Sequence, residues 1–373
     1  MRPVFRSRAE EPRASTARAF SSSYVGARAR FREAASGARF ALSSYPIGQL
    51  GPDGTELTID VAVRGAESAR RTLVMSSGLH GVEGYFGSAV QRSWLLGLGR
   101  EPNSERRDVL IHALNPFGFA WRRRVNEDNV DLNRNFMLAG RPYGGAPQGY
   151  RDLNGLLNPE SAPRLLEPPL ALKALPSLLR HGFRALKNAV AQGQYEFARG
   201  VFYGGDRPSH TQQILARHLH SWLGEPEHVL HLDWHTGRGR SGTYALCVDL
   251  PVESPRVARL RNTFGDECVE SFDPNGVLYE IKGALGPWLE QQLPHVQYDC
   301  LLAEFGTYNA IRVLEAMRFE NRTHLYAQHD AGLLEQGRKK MFEAFCPRSA
   351  QWRSQVLARA LKVAQQAASA LGA

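Results

Sequence analysis

The chain has 373 residues, 43% hydrophobic and 22% charged, an ordinary globular composition long enough for one large α/β domain with an insertion or for two modest domains. Its net charge of +9 comes from arginines scattered without a basic stripe or interleaved aromatics, which argues against a nucleic-acid partner. Apolar runs fall far short of the roughly 18 residues that span a bilayer, and the Arg/Ala-rich start, with Glu10 and Glu11, lacks the apolar core of an export signal, so the expectation is a soluble, cytoplasmic chain with no membrane partner.

Residues 1–20 read as a flexible segment, and Tyr24 to Phe40 as a helix. Leu57 to Val63 alternates as a strand after the Gly51-Pro52-Asp53-Gly54 turn. Thr72 to Ser77 is an apolar strand; Gly78-Leu79-His80-Gly81-Val82-Glu83 follows, then a helix from Tyr85 to Leu96. Val109 to Leu114 reads as a strand before Asn115-Pro116-Phe117-Gly118, and Arg124-Val125-Asn126 then runs into Asp131-Leu132-Asn133-Arg134-Asn135-Phe136. Between Met137 and about Gly200 the pattern changes: a Gly/Pro-rich loop from Gly140 to Gly149 precedes helical stretches at Leu170–Leu175 and Leu178–Val190. That region reads as an insertion over one side of a crevice. Val229 to Trp234 and Leu301 to Ala303 are strand-like and lead into His235 and Glu304. Thr243 to Val248 follows as a further segment, Arg256 to Phe264 reads as a helix, and Phe272 to Leu285 surrounds a loop. Two amphipathic helices, Tyr326–Phe345 and Gln351–Leu371, close the chain; the last suits either covering the sheet or forming a homo-oligomer.

This alternation predicts an α/β fold: a mixed, mostly parallel twisted sheet with helices on both faces and a helical insertion. Cys247, Cys268, Cys300 and Cys346 are widely spaced with no C-x-x-C pair, and read as free thiols of a reducing compartment. Neither a P-loop, a dinucleotide fingerprint nor a G-x-S-x-G elbow is present.

The chemistry sits in four short segments. His80 and Glu83 are three apart, so on a helical turn they face the same side and can chelate one ion. They follow a strand, and open α/β sheets place their sites at the carboxyl ends of strands. His235 follows another strand and can reach the same crevice. Catalytic zinc takes three protein ligands and keeps a fourth position open, a requirement that His80, Glu83 and His235 fill. Glu304 is then available to handle protons. The reading is a metal-assisted hydrolase.

The ordered set H-x-x-E, R-x-N…D-L-N-R-N-F, a lone His after a strand and a late Glu resembles the zinc carboxypeptidase superfamily, and within it the DUF2817 branch, from about Phe20 to about His329. The resemblance implies a zinc carboxypeptidase-like fold forming a single catalytic domain over residues 21–373, with 137–200 as an insertion near the cleft. It implies one zinc per chain on His80, Glu83 and His235, with Glu304 as general base. Arg124 takes the place of the oxyanion-stabilising arginine, the R-x-N spacing leaving Arg122 and Arg123 solvated or structural. Asn133 and Arg134 match the pair that grips a substrate carboxylate, and Asp131 the carboxylate that holds a ligand histidine in its tautomer. Tyr308, Tyr279 and Tyr203 all compete for the tyrosine over the substrate, and that role stays unassigned. The expected reaction is hydrolysis of an amide beside a free carboxylate, in a small peptide or an acylated amino acid. The alternative is an N-acyl amino acid deacylase of the aspartoacylase or succinylglutamate desuccinylase type. A third reading, an inactive binding protein on this scaffold, is disfavoured because all three ligands and Glu304 are retained.

Overall fold

The computed structural model describes residues 18–99, 103, 105–164, 167–168, 170, 192–272 and 281–372. Eight strands form one sheet: β1 Ala41–Leu50, β2 Glu56–Arg64, β3 Arg71–Ser77, β4 Arg106–His112, β5 His228–Thr236, β6 Tyr244–Pro251, β7 Val269–Phe272 and β8 Gln297–Phe305. Their order is β1-β2-β4-β3-β5-β8-β6-β7. The four central strands β4, β3, β5 and β8 are mutually parallel. Runs such as Leu73-Val74-Met75 and Val109-Leu110-Ile111 are buried throughout, as strands covered on both faces must be. β1, β2 and β6 add antiparallel pairings, and β7 pairs parallel to β6 at the edge. Pro46 lies in edge strand β1, where its missing N–H does not break a central ladder.

The predicted fold class is the observed one. β4 begins earlier than the expected Val109, because Arg106 and Arg107 are buried in it with their charges satisfied. Arg106 Nε donates to Asp108 Oδ1 at 2.7 Å, and Arg107 donates to the carbonyls of Trp222 and Gly65, both at 2.8 Å. β5 runs past Trp234, so His235 lies within the strand rather than after it. The helices are α1 Tyr24–Gly37, α2 Gly84–Gly97, α3 Pro116–Trp121, α4 Gln148–Leu157, α5 His210–Leu223, α6 Pro255–Phe264, α7 Leu285–Gln292, α8 Ala310–Tyr326, α9 Ala331–Phe345 and α10 Ala350–Ala370. The stretch read as one helix over Tyr326–Phe345 is in fact the end of α8, a break, and α9, which starts where Asp330 caps Leu333 N at 2.9 Å. α5 and α8 fall where no element was expected, and α4 occupies part of the insertion; the helical stretches expected within 171–190 lie outside the described residues.

Strand alternation assigns the two faces. On β5, Trp234 turns toward Gly87 of α2, while on the other face Cys300 of β8, register partner of His231, packs against Gly286 of α7. Thr72 on that second face donates to Leu223 O of α5. The site therefore grows from the α5/α7 face, at the carboxyl ends of β3, β5 and β8.

Candidate metal centre

β3 ends at Ser77, and Gly78, with φ of 65°, turns the chain sharply into His80 and the short Gly81–Glu83 turn. That turn is clamped from behind. Gly81 N and Val82 N donate to the carbonyls of Arg124 and Arg123 at 3.1 and 2.8 Å, so the first two sequence motifs are hydrogen-bonded to each other. The approach is so close that a Cβ on Gly81 would stand 2.1 Å from the carbonyl carbon of Gly118.

His80, Glu83 and His235 are buried, and one ligand atom from each lies within 4.8 Å of the others. Glu83 Oε1 is 3.0 Å from His80 Nδ1 and its Oε2 is 3.0 Å from His235 Nδ1, while the two Nδ1 atoms are 3.2 Å apart. Thr236 N also donates to Glu83 Oε2. Burial opposes charge on both Glu83 and His235. Even so, His80 and His235 hold the Glu83 carboxyl well below its usual range, and Asp233 and Glu83 hold His235 well above the usual imidazole value. A buried point that gathers two imidazole nitrogens and a carboxylate held well below its usual range selects a cation. Two Nδ1 atoms and one carboxylate are a donor set suited to zinc, so the residues fit the metal that the resemblance implies.

Behind His235 runs a chain of buried polar groups absent from the sequence reading. His235 Nε2 lies 2.6 Å from Asp233 Oδ2, and Ser76 Oγ donates to Asp233 Oδ1 at 2.5 Å. Ser76 Oγ is 2.7 Å from His231 Nε2, whose Nδ1 is 3.0 Å from the Tyr298 hydroxyl. One donor pattern satisfies every member: Tyr298 to His231, His231 to Ser76, and Ser76 and His235 both to Asp233. It requires a neutral His231, and burial lowers that group's pKa to about 4. The signal was available, because three alternate positions of an otherwise apolar central strand, His231, Asp233 and His235, are polar and share one face.

Glu304 is the register partner of His235 on parallel β8, so the two side chains rise from the same face. Its Oε2 is enclosed with no hydrogen-bond partner. Burial, reinforced by the charge of Glu83, raises its pKa.

Arg124 and Asp131 meet at His80. Asp131 Oδ1 is 3.2 Å from His80 Nε2, its Oδ2 accepts from Arg124 Nε at 3.0 Å, and Arg124 Nη2 is 2.7 Å from the same His80 nitrogen. Arg124 also reaches Glu83 Oε1 at 3.3 Å. Arg123 is buried against Glu320, Asn129 and Asn321, a structural part, and Arg122 lies half-buried at the end of α3. Asn133 and Arg134 form a buried turn. Asn133 Oδ1 accepts from Leu285 N, and the Arg134 side chain lies against Gly193 and the Phe202 ring. Of the three tyrosines, Tyr308 donates to Glu343 at 2.6 Å, Tyr203 is buried with its carbonyl on Asp131 N, and Tyr279 lies outside the described residues.

No curated protein matches the chain in sequence. Among solved structures, carboxypeptidase A from Helicoverpa armigera is 12% identical, covering 86% of this chain and 73% of its own, with a TM-score of 0.45. Murein-tripeptide amidase from Escherichia coli O157 is 19% identical, covering 76% of this chain and 91% of its own, with a TM-score of 0.35. The model of the DUF2817 family, described as a protein of unknown function, matches residues 20–359, and the chain therefore belongs to the DUF2817 family.

Proposed function

We propose that the chain is a zinc-dependent hydrolase that cleaves an amide bond beside a free carboxylate. The observation that carries this reading is the convergence of His80 Nδ1, Glu83 and His235 Nδ1 on one buried point, with the unpaired Glu304 carboxyl on the same face. A zinc ion held there would polarise a carbonyl and lower the pKa of water to about 7.

The chain's own residues supply the rest. Glu304, with its raised pKa, takes the proton of the attacking water and delivers it to the leaving amine. With Nδ1 of His80 committed to a cation, the ring proton sits on Nε2 and is donated to Asp131. Arg124 can then no longer donate to that nitrogen, and its guanidinium turns to the developing oxyanion. Asn133 and Arg134 hold the substrate carboxylate, Arg134 through its planar fork. Residues 192–205 line that turn, with Tyr195 Oη donating to Arg134 O at 2.6 Å, which supports the 137–200 region as a wall of the pocket within one catalytic domain.

An N-acyl amino acid deacylase is the second reading. It is favoured by the enclosure of Asn133 and Arg134, only 2% and 3% exposed, which suits a small substrate better than a long peptide. The first test is metal content of the purified protein beside His80→Ala, followed by hydrolysis assays on short peptides and N-acyl amino acids. About one zinc per chain, lost in the variant, with release of a C-terminal amino acid supports the first reading, and release of acetate or succinate the second. No metal retained after zinc loading overturns both.

A further inference from the structure

A second concavity, of about 370 Å³, lies where the start of α1 meets the end of α3 and the junction of α9 with α10. Four arginines line it, Arg30, Arg122, Arg348 and Arg353, together with the rings of Phe20 and Phe342. Neutral groups hold the guanidiniums in place. Arg122 and Arg348 flank the same Phe342 ring, at 5.3 and 5.7 Å from its centre, and Arg353 stands 4.7 Å above Phe20. Carbonyl oxygens do the rest: Arg30 donates to Phe20 O at 3.4 Å, Arg122 to Ser22 O at 3.1 Å, and Arg353 to Pro347 O at 2.9 Å. Among the described residues, the one carboxylate within 4.0 Å of any of the four guanidiniums is Glu335, at 3.8 Å from Arg122, while Glu343 Oε2 accepts from the Arg348 backbone N–H at 3.2 Å. Arg30 also donates to Arg18 O at 3.3 Å. Stacking on a ring or bonding to one or two carbonyls still leaves most of the five N–H donors of each guanidinium uncommitted. The positive end of the 14-residue α1 adds to the field, since Gly26 of its first turn also borders the cavity.

We propose that this cavity is a binding site for a phosphoryl-type dianion, either free phosphate or the phosphate of a small molecule. A tetrahedral dianion offers more acceptor oxygens and twice the charge of a carboxylate, and so engages more of four convergent guanidiniums at once. The aromatic walls leave room for an apolar group beside the phosphate. None of the metal-centre residues lines the cavity. It adjoins their turn, however, because Phe342 packs edge-on against Tyr85 at 4.8 Å, two residues after Glu83.

The test is calorimetric titration of the full chain carrying His80→Ala and treated with chelator, so that no metal competes for the anion. Inorganic phosphate, phenyl phosphate and acetate are compared at matched ionic strength. Saturable binding of phosphate, tighter than acetate and weakened at least about tenfold in Arg30→Ala/Arg348→Ala, is the expected result. Both substituted residues are exposed, so that variant should keep the parent's melting temperature. Tighter binding of phenyl phosphate than of inorganic phosphate assigns the site to a phosphorylated molecule, and equal binding to free phosphate. Phosphate no tighter than acetate, or a double variant that binds like its parent, overturns the proposal. Affinity that grows with the length of an RNA oligonucleotide would also overturn it, in favour of a strand-binding surface.

Discussion

Asp233→Asn is the sharpest probe of how the metal centre is built. The substitution keeps the shape and removes a carboxylate that accepts from two buried donors, His235 Nε2 at 2.6 Å and Ser76 Oγ at 2.5 Å. Asparagine can place its oxygen toward only one of them. If the oxygen faces His235, its NH₂ meets Ser76 Oγ, which already accepts from His231, and the Ser76 hydroxyl proton loses its acceptor. If the oxygen faces Ser76, the NH₂ asks His235 Nε2 to accept, which puts the ring proton on Nδ1, the atom aimed at the cation. Either arrangement loses one charge-assisted hydrogen bond, about 1.5–3 kcal/mol, which at 1.4 kcal/mol per decade is roughly ten- to a hundredfold in zinc affinity. Competition with a fluorescent chelator measures this directly, and the melting temperature of the chelated protein checks the fold. A folded variant that binds zinc within twofold of the parent would refute the argument that the charged hydrogen bond from Asp233 strengthens His235 as a ligand.

Glu304→Gln should lower turnover by about two to four orders of magnitude while leaving zinc stoichiometry at the parent value, read by single-turnover kinetics and metal analysis. Gly81→Ala puts a methyl 2.1 Å from the Gly118 carbonyl carbon, so two hydrogen-bonded backbones must part by about 1.4 Å to restore an ordinary contact near 3.5 Å. The expected cost is about 1–3 kcal/mol or more in urea unfolding, with zinc binding impaired; a variant as stable as the parent contradicts the close packing. His112 lies buried under Phe31 with its ring stacked at 4.6 Å, and burial lowers its pKa to about 4. Since the folded value lies below the unfolded one near 6.5, its contribution is complete above that pH and is lost as the pH falls toward 4, about 3 kcal/mol in all. His112→Asn should flatten the acid limb of the stability profile by about that amount, and an unchanged limb would show that another group carries it.

Much of the fold and of the candidate metal site was legible because their determinants are local. Apolar runs of strand length separated by helices dictate a parallel-centred sheet, and the three-residue spacing of His80 and Glu83 puts both on one side of a turn whatever surrounds it. The alternation of His231, Asp233 and His235 was equally local, and was missed because polar residues in a buried strand invite a reading as isolated ligands. Charged starts such as Arg106-Arg107 hid the true beginning of β4, since the partners that let them be buried lie in other elements.

The sequence by itself therefore determined the family and the sheet and singled out His80, Glu83 and His235 as the candidate ligand set, because spacing and period act within a few residues. Tertiary structure alone decided that Arg123 is a buried strut while Arg124 faces His80, that Tyr308 is tied to Glu343, and that Ser76 and Tyr298 complete a chain behind His235. It alone gathered Arg30, Arg122, Arg348 and Arg353 around one cavity. Those pairings join residues up to hundreds of positions apart, and strand order and the close approach of backbones at Gly81 set them, neither of which any local pattern encodes.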